Sequence, residues 1–365
     1  MEDNTKKVIA RIDEAIEDLK NKNFTIYFFV IDTKGTPNGS TQYIYEMAKE
    51  LINLKYNVEI LHQEEEFVGV AEWLGEEYSK IPHSCIENEN IKISSCDFLI
   101  IPEIFSNVMK QTKDLPCKRI VLCQNINYIS EFIPLGISWK NYNMYDAITT
   151  SEIQANDLKE LFPFMKTRVI SPAIPKYFRN NETPKKLMVS IVAKEQSLVN
   201  KIIRHFHWKF PQYRWVTFTD LRGLPRENFA DTLRESVATV WIDDDSYFGY
   251  APIEAIKSGS IVIAKIPDVI PEWMYNEDKT NLNNAGIWFN DIRDVQKIIA
   301  DVIKSSLEDN IPEELYQEMA NFENKYTEEE RKLQLENLFN DYIKNRISEM
   351  TIVKNNIANK EQNEK

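Results

Sequence analysis

Short apolar runs rich in β-branched and aromatic residues alternate with amphipathic helical stretches twice along this chain, and that alternation leaves few folds open. FTIYFFVI (24–31), YNVEILHQ (56–63), DFLIIPE (97–103), KRIVLCQN (118–125), DAITTSE (146–152) and TRVISPAI (167–174) make the first set. They read as strands buried in a parallel sheet, which are apolar on both faces. Between the first two, STQYIYEMAKELINLK places Tyr43, Ile44, Met47, Leu51 and Leu54 on one helical face. Repeated βα units of this kind build a doubly wound sheet. After the polar NNETPKK (180–186) the alternation begins again with KLMVSIVAK (186–194), RWVTFTD (214–220), ATVWIDDD (238–245), SIVIAKI (260–266) and AGIWFN (285–290). Helical patterns follow over 195–210, 225–236, 251–258 and 291–306.

A length of 365 residues suits two domains, each with a full core. The expected plan is an N-terminal helix over 1–22, a Rossmann-like domain over 23–180, a second over 181–325 and a C-terminal helix over 326–346. That last helix carries Leu335, Leu338, Phe339 and Tyr342 on one face, and the polar remainder, 347–365, reads as a disordered tail. No apolar run reaches the roughly 18 residues that span a bilayer. The opening MEDNTKKVIARIDEAIEDLK lacks the apolar core of a secretion signal, so the expectation is a soluble, cytoplasmic protein. Cys85, Cys96, Cys117 and Cys123 show no metal-ligand spacing and are expected as reduced thiols in or near a core, with no metal site. The net charge of −13 disfavours nucleic acid and anionic lipid as far-field partners but allows a local basic cleft to hold one phosphate group. Neither a P-loop nor G-x-G-x-x-G occurs, which removes support for a dinucleotide oxidoreductase.

Two facing sheets of this class leave a cleft at the carboxyl ends of their strands, where such folds bind ligands. The stretch DDDSYFGYAPIEAIKSGSIVIA (243–264) falls at such an end. Asp243 to Asp245 close a strand, Pro252 and Glu254 open a helix, and the amides around Phe248, Gly249 and Tyr250 can face the cleft, where a helix N-terminus favours an anion. Gly249 lets a ligand approach the backbone. Glu254 can serve a ligand or merely complement the helix dipole.

These residues resemble the donor-site signature of family 4 glycosyltransferases of GT-B fold, a Glu, seven residues and a second Glu written around Phe-Gly and Pro. Phe248, Gly249, Pro252, Glu254, Ala255, Gly259 and Val262 match in register. GTPNGSTQYIYEMAKELINLKYNVEIL is similar to the family's first glycine loop and helix, and VSIVAKEQ to the start of its donor domain. The likeness runs over roughly residues 24–305. It implies that Glu254 binds the ribose hydroxyls of a nucleotide diphosphate sugar, a task suited to a carboxylate accepting two hydrogen bonds. It also implies that Ser246 stands where a Glu holds the donor sugar, so that either Asp245 beside it takes over, or the donor sugar is unusual, or catalysis is lost. Ala193 and Lys194 occupy the places of two basic residues that neutralise the diphosphate, so one cation remains, unless Lys194 is simply an exposed lysine at a strand end.

On the other side of the cleft, Gly35, Asn38, Gly39 and Ser40 form a loop that either approaches a phosphate or sugar or is a tight turn with Ser40 as N-cap. Gln124 and Asn125 at a strand end either offer neutral hydrogen-bonding groups to a sugar or cap the loop. His205 and His207 are expected in aromatic packing or on a solvated face, His62 and His83 are given no role, and Trp208, Trp215 and Trp241 are read as packing. The expected activity is a retaining, metal-independent sugar transfer from a nucleotide diphosphate sugar to an acceptor hydroxyl on a glycan, protein or small molecule, with no cofactor. The alternatives are an inactive glycosyltransferase-like binding or scaffold protein, and a transferase acting on DNA bases.

Overall fold

The computed structural model describes residues 2–87 and 91–363, with side chains over 6–87 and 91–359. The chain forms two parallel sheets. The first contains β1 (Thr25–Phe29), β2 (Asn57–His62), β3 (His83–Cys85), β4 (Phe98–Pro102), β5 (Lys118–Cys123), β6 (Asp146–Thr149) and β7 (Lys166–Val169), in the order β3-β2-β1-β4-β5-β6-β7. The second contains β8 (Lys186–Ala193), β9 (Thr217–Asp220), β10 (Ser236–Ile242), β11 (Ile261–Lys265) and β12 (Gly286–Phe289), in the order β12-β11-β10-β8-β9. Every pairing is parallel, as the doubly apolar runs require. Strand β3, the short and polar His-Ser-Cys, is an addition to the six runs legible in the first half.

Each sheet is covered on both faces. Ile26, Phe28 and Ile60 face the helices Gly39–Asn53 and Glu328–Asn363, while Tyr27, Leu99 and Val121 face a second cluster around the fully buried Trp139. Val189, Ile191, Val240 and Ile263 centre the core of the second sheet. All four cysteines are buried free thiols.

The C-terminal helix crosses back to the first domain. Leu335, Leu338, Phe339 and Tyr342 are buried there, and Arg331 bonds Glu46 at 2.5 Å and Glu50 at 2.8 Å inside the protein. The tail expected to be disordered from 347 instead continues this helix to Asn363, and its last two residues lie outside the described ones. Packing supplies the reason. Met350 is buried beside Ala15, Ile16 and Leu19 of the helix Glu2–Lys20, and Lys354 pairs with Asp13 at 2.5 Å.

Candidate functional site

Strand order changes direction between β1 and β4 in one sheet and between β8 and β10 in the other, and ligands of open α/β sheets bind outside the carboxyl ends at such points. Both points open onto one cavity of about 300 Å³ between the domains. Gly39, Ser40 and Asn125 line it from one domain, and Lys194, Asp243 and Gly249 from the other.

Two helix N-termini meet there. The helix Gly39–Asn53 is capped by Asn38, whose Oδ1 accepts from Thr41 N at 3.0 Å; the cap is therefore Asn38 and not Ser40. The helix Tyr250–Lys257 follows Gly249 at φ +70°, a conformation that favours glycine. A Cβ on Gly249 would lie 2.7 Å from Trp241 Cζ2, and one on Gly39 3.7 Å from the Tyr250 ring across the domain boundary. Trp273 Nε1 donates to Phe248 O at 2.5 Å and fixes the turn from beneath. Trp241 is thus a packed residue, as its strand pattern suggested, and also part of the cavity wall.

Lys194 follows β8 and its ammonium sits 2.9 Å from Asp243 Oδ1 and 3.2 Å from Asp245 Oδ2. Burial opposes its charge, but the hydrogen bond and charge of Asp243, then those of Asp245, hold its pKa above the ordinary lysine value. Ser246 Oγ donates to Asp243 Oδ2 at 2.6 Å. Lys265 engages Asp244 at 2.6 Å, so each carboxylate of the Asp-Asp-Asp run has a lysine partner. Ala193 is buried in the core. A second cation lies close by: Arg222 pairs with Asp220 and reaches Lys194 O at 3.4 Å.

The domains are joined at the site by Asn125, whose Nδ2 donates to Asp245 O at 2.9 Å, while Gln124 Nε2 donates to Ser40 O at 3.2 Å within the first domain. Glu103, at the carboxyl end of β4, accepts from Asn125 N at 2.8 Å. Burial pushes its carboxyl up to about 7, against the opposing pull of the backbone amides of Glu103, Gln124 and Asn125. Sequence reading passed over Glu103, although a lone carboxylate closing the apolar run Phe98–Pro102 is a usable signal.

Glu254 lies apart from these groups. It is the fifth residue of its helix, beyond the first turn, fully buried and absent from the cavity wall, so neither the dipole role nor direct exposure in the cleft describes its position. Arg226 Nη2 donates to its Oε1, and the guanidinium lies between the rings of Phe178 and Phe229, 4.8 Å from each centroid. Burial raises the Glu254 pKa, with Arg226 pulling it down. Glu254 Oε2 and Arg226 Nε have no hydrogen-bond partner. Arg226 stands 28 residues away in sequence, and no local pattern announces the pair.

The remaining candidates separate. His205 stacks on Trp208 at 5.6 Å, and His207 packs edge-on against Phe206 and Phe218. Trp208 and Trp215 are not core residues: they are 74% and 51% exposed. His62 and His83 bond each other at 3.0 Å at the far edge of the first sheet.

No model of a known protein family matches the chain. It is 24% identical over 254 residues to an alpha-1,6-glucosyltransferase of Actinobacillus pleuropneumoniae serotype 7 (strain AP76), covering 67% of this chain and 73% of that protein. Among solved structures it is similar to a mutant of S. aureus TarM in complex with fondaparinux, alpha-GlcNAc-glycerol and UDP, with a TM-score of 0.63 and 12% identity over 87% of this chain and 100% of the other. It is also similar to the pneumococcal O-GlcNAc transferase GtfA in complex with UDP and GlcNAc, with a TM-score of 0.58 and 9% identity over 87% and 99% of the two chains. The two-domain architecture is therefore the GT-B fold.

Proposed function

We propose that this chain is a GT-B glycosyltransferase that holds a nucleotide diphosphate sugar between its domains and transfers the sugar to an acceptor hydroxyl. The observation that carries this reading is the convergence of two helix N-termini and the Lys194 ammonium on one interdomain cavity. Such a place suits a diphosphate, whose charge grows as the bond to the sugar breaks. In the transfer, the bond from the anomeric carbon to the diphosphate oxygen breaks, a bond to the acceptor oxygen forms, and the hydroxyl proton passes to a nearby base. The helix amides after Gly249 and Lys194 stabilise the leaving diphosphate. The resemblance gives Asp245 and Ser246 to the donor sugar and Gly39 and Ser40 to the acceptor side; Ser246, Gly39 and Ser40 line the cavity, whereas Asp245 stands at its edge, paired with Lys194. Retention of configuration and independence from metal rest on the resemblance to family 4. The relatives that carry UDP or are named for glucose or N-acetylglucosamine transfer favour a UDP-sugar donor.

The ribose role of Glu254 is part of this reading and carries a condition. Its free Oε2 can accept from a hydroxyl only if the turn above it moves, because the residue is fully buried. That burial, with Ala193 in the core and Lys194 held by two aspartates, favours as the second reading a protein that binds a nucleotide sugar without turning it over.

A panel of nucleotide sugars, screened for thermal stabilisation and for hydrolysis or transfer, separates the two. Stabilisation with turnover supports the enzyme, stabilisation without turnover the binding protein, and no response to any donor defeats both. For an active donor, the anomeric configuration of the product by NMR and turnover in chelator test the stereochemical and metal assignments.

A further inference from the structure

The helix Gln196–Lys209 and the turn and strand after it carry no acidic residue from 196 to 219, within a chain of net charge −13. Val199, Ile202 and Phe206 take its inner face into the core. Lys201, Arg204, Trp208, Lys209, Arg214 and Trp215 are left outward and exposed. The two tryptophans are the least expected of these. Trp208 is 74% exposed, more than either exposed valine or isoleucine of the C-terminal helix, and Trp215 is 51% exposed with its Nε1 satisfied by Gln212 O at 2.9 Å. Beside Trp208 lies an open hollow of about 600 Å³ whose wall includes Lys201, Lys209 and Arg293 and no carboxylate. Arg293 pairs with Asp291 at the surface, and Lys201, Arg204, Lys209 and Arg214 have no carboxylate within 4 Å among the described residues.

We propose that this face of the second domain docks on an anionic lipid bilayer. Indole rings with one apolar body and one polar edge settle at the headgroup level, and lysines and arginines around them meet lipid phosphates. The cations are spread over a helix face and its following turn and do not converge on one point, which fits a surface of many phosphates better than a single anion. The helix begins two residues after Lys194 and runs 14 residues, about 21 Å, so its exposed end stands away from the interdomain cavity and leaves that cavity open when docked. The rest of the acidic surface is repelled by the same membrane, so attachment is shallow, reversible and strongly dependent on salt. It requires no spanning segment, and no described helix is long and apolar enough to cross a membrane.

The test is co-sedimentation of the full chain with vesicles of phosphatidylcholine alone and of phosphatidylcholine mixed with phosphatidylglycerol. Binding to the mixed vesicles only, lost at about 1 M salt where the screening length is about 3 Å, is expected. Lys201→Ala and Lys209→Ala should each weaken it about fivefold, and the Trp208→Ala/Trp215→Ala double variant should abolish the shift in tryptophan emission on binding. Lys159→Ala, at an exposed position of the other domain, should leave binding unchanged, and the lysine variants should keep the wild-type melting temperature because the residues are exposed. Equal binding to both vesicles, binding to neither, or capture of heparin or RNA without vesicle binding overturns the proposal. None of these outcomes depends on whether the protein transfers a sugar.

Discussion

Lys194 and Asp243 face each other across the switch point of the second sheet, each one residue past the end of its strand, with Nζ 2.9 Å from Oδ1. Both residues line the interdomain cavity, which on the proposed reading receives the leaving diphosphate. A ligand phosphate must therefore take the ammonium from Asp243 and Asp245, and the bound state exchanges one set of charged partners for another.

That exchange makes the first prediction. Lys194→Ala should weaken binding of the nucleoside diphosphate by about tenfold, as expected for loss of one charge-assisted hydrogen bond, and leave binding of the nucleoside nearly unchanged. Calorimetry with the two ligands reads the difference. Equal losses for both would mean that Lys194 does not touch the diphosphate.

A second prediction follows from the buried pair of Arg226 and Glu254. Removing the charge of one partner strands the other in the core, so Glu254→Gln should cost about 3 kcal/mol of folding stability in denaturant titration. A cost under about 1 kcal/mol would show that the carboxylate is not holding the guanidinium. If Glu254 also receives ribose hydroxyls, the same variant should bind nucleoside more weakly under conditions where it remains folded.

Gly249 provides the third. At φ +70°, with an added Cβ 2.7 Å from the buried Trp241 ring, Gly249→Ala should lose at least about 2 kcal/mol from backbone strain and overlap together. Gly223 is the control: its φ is +73°, but nothing lies within 4 Å of an added Cβ, so Gly223→Ala should show the backbone cost alone. Equal losses at the two positions would remove the steric role of Trp241.

These positions also show how far sequence carries. The strands were legible because parallel strands covered on both faces must be apolar throughout, and the Phe248–Gly249 turn because it lies between an apolar run and a helical pattern; the positive φ of Gly249 is added by the structure. Strand β3 was not, since His83–Cys85 is short and polar and is held by its pairing with β2. Trp208 is a misreading that the helical period could have prevented. Val199, Ile202 and Phe206 define the inner face, and a residue two positions after Phe206 points away from it. The helix beyond 346 and the partner of Glu254 belong to another class, because both depend on contacts with residues far away in sequence, Leu19 in one case and Arg226 in the other.

Glu103 supplies the last prediction. Burial lifts its carboxyl from the ordinary 4.5 to about 7, so the folded protein holds this proton more tightly than the unfolded chain does. Its contribution to stability is fully present below about 4.5 and is lost as the pH rises through about 7, a change of about 3 kcal/mol. Glu103→Gln keeps an oxygen for the amide of Asn125 but cannot ionise. Folding free energies of the two proteins, measured by denaturant at intervals from pH 4.5 to 8, should therefore diverge, the wild type losing about 3 kcal/mol more than the variant across that range. Other titrating groups cancel in the comparison because both proteins carry them. Parallel curves would mean that the carboxylate is ionised throughout, held by the backbone amides around it, and that the loop bearing Asn125 and its bond to Asp245 is indifferent to pH.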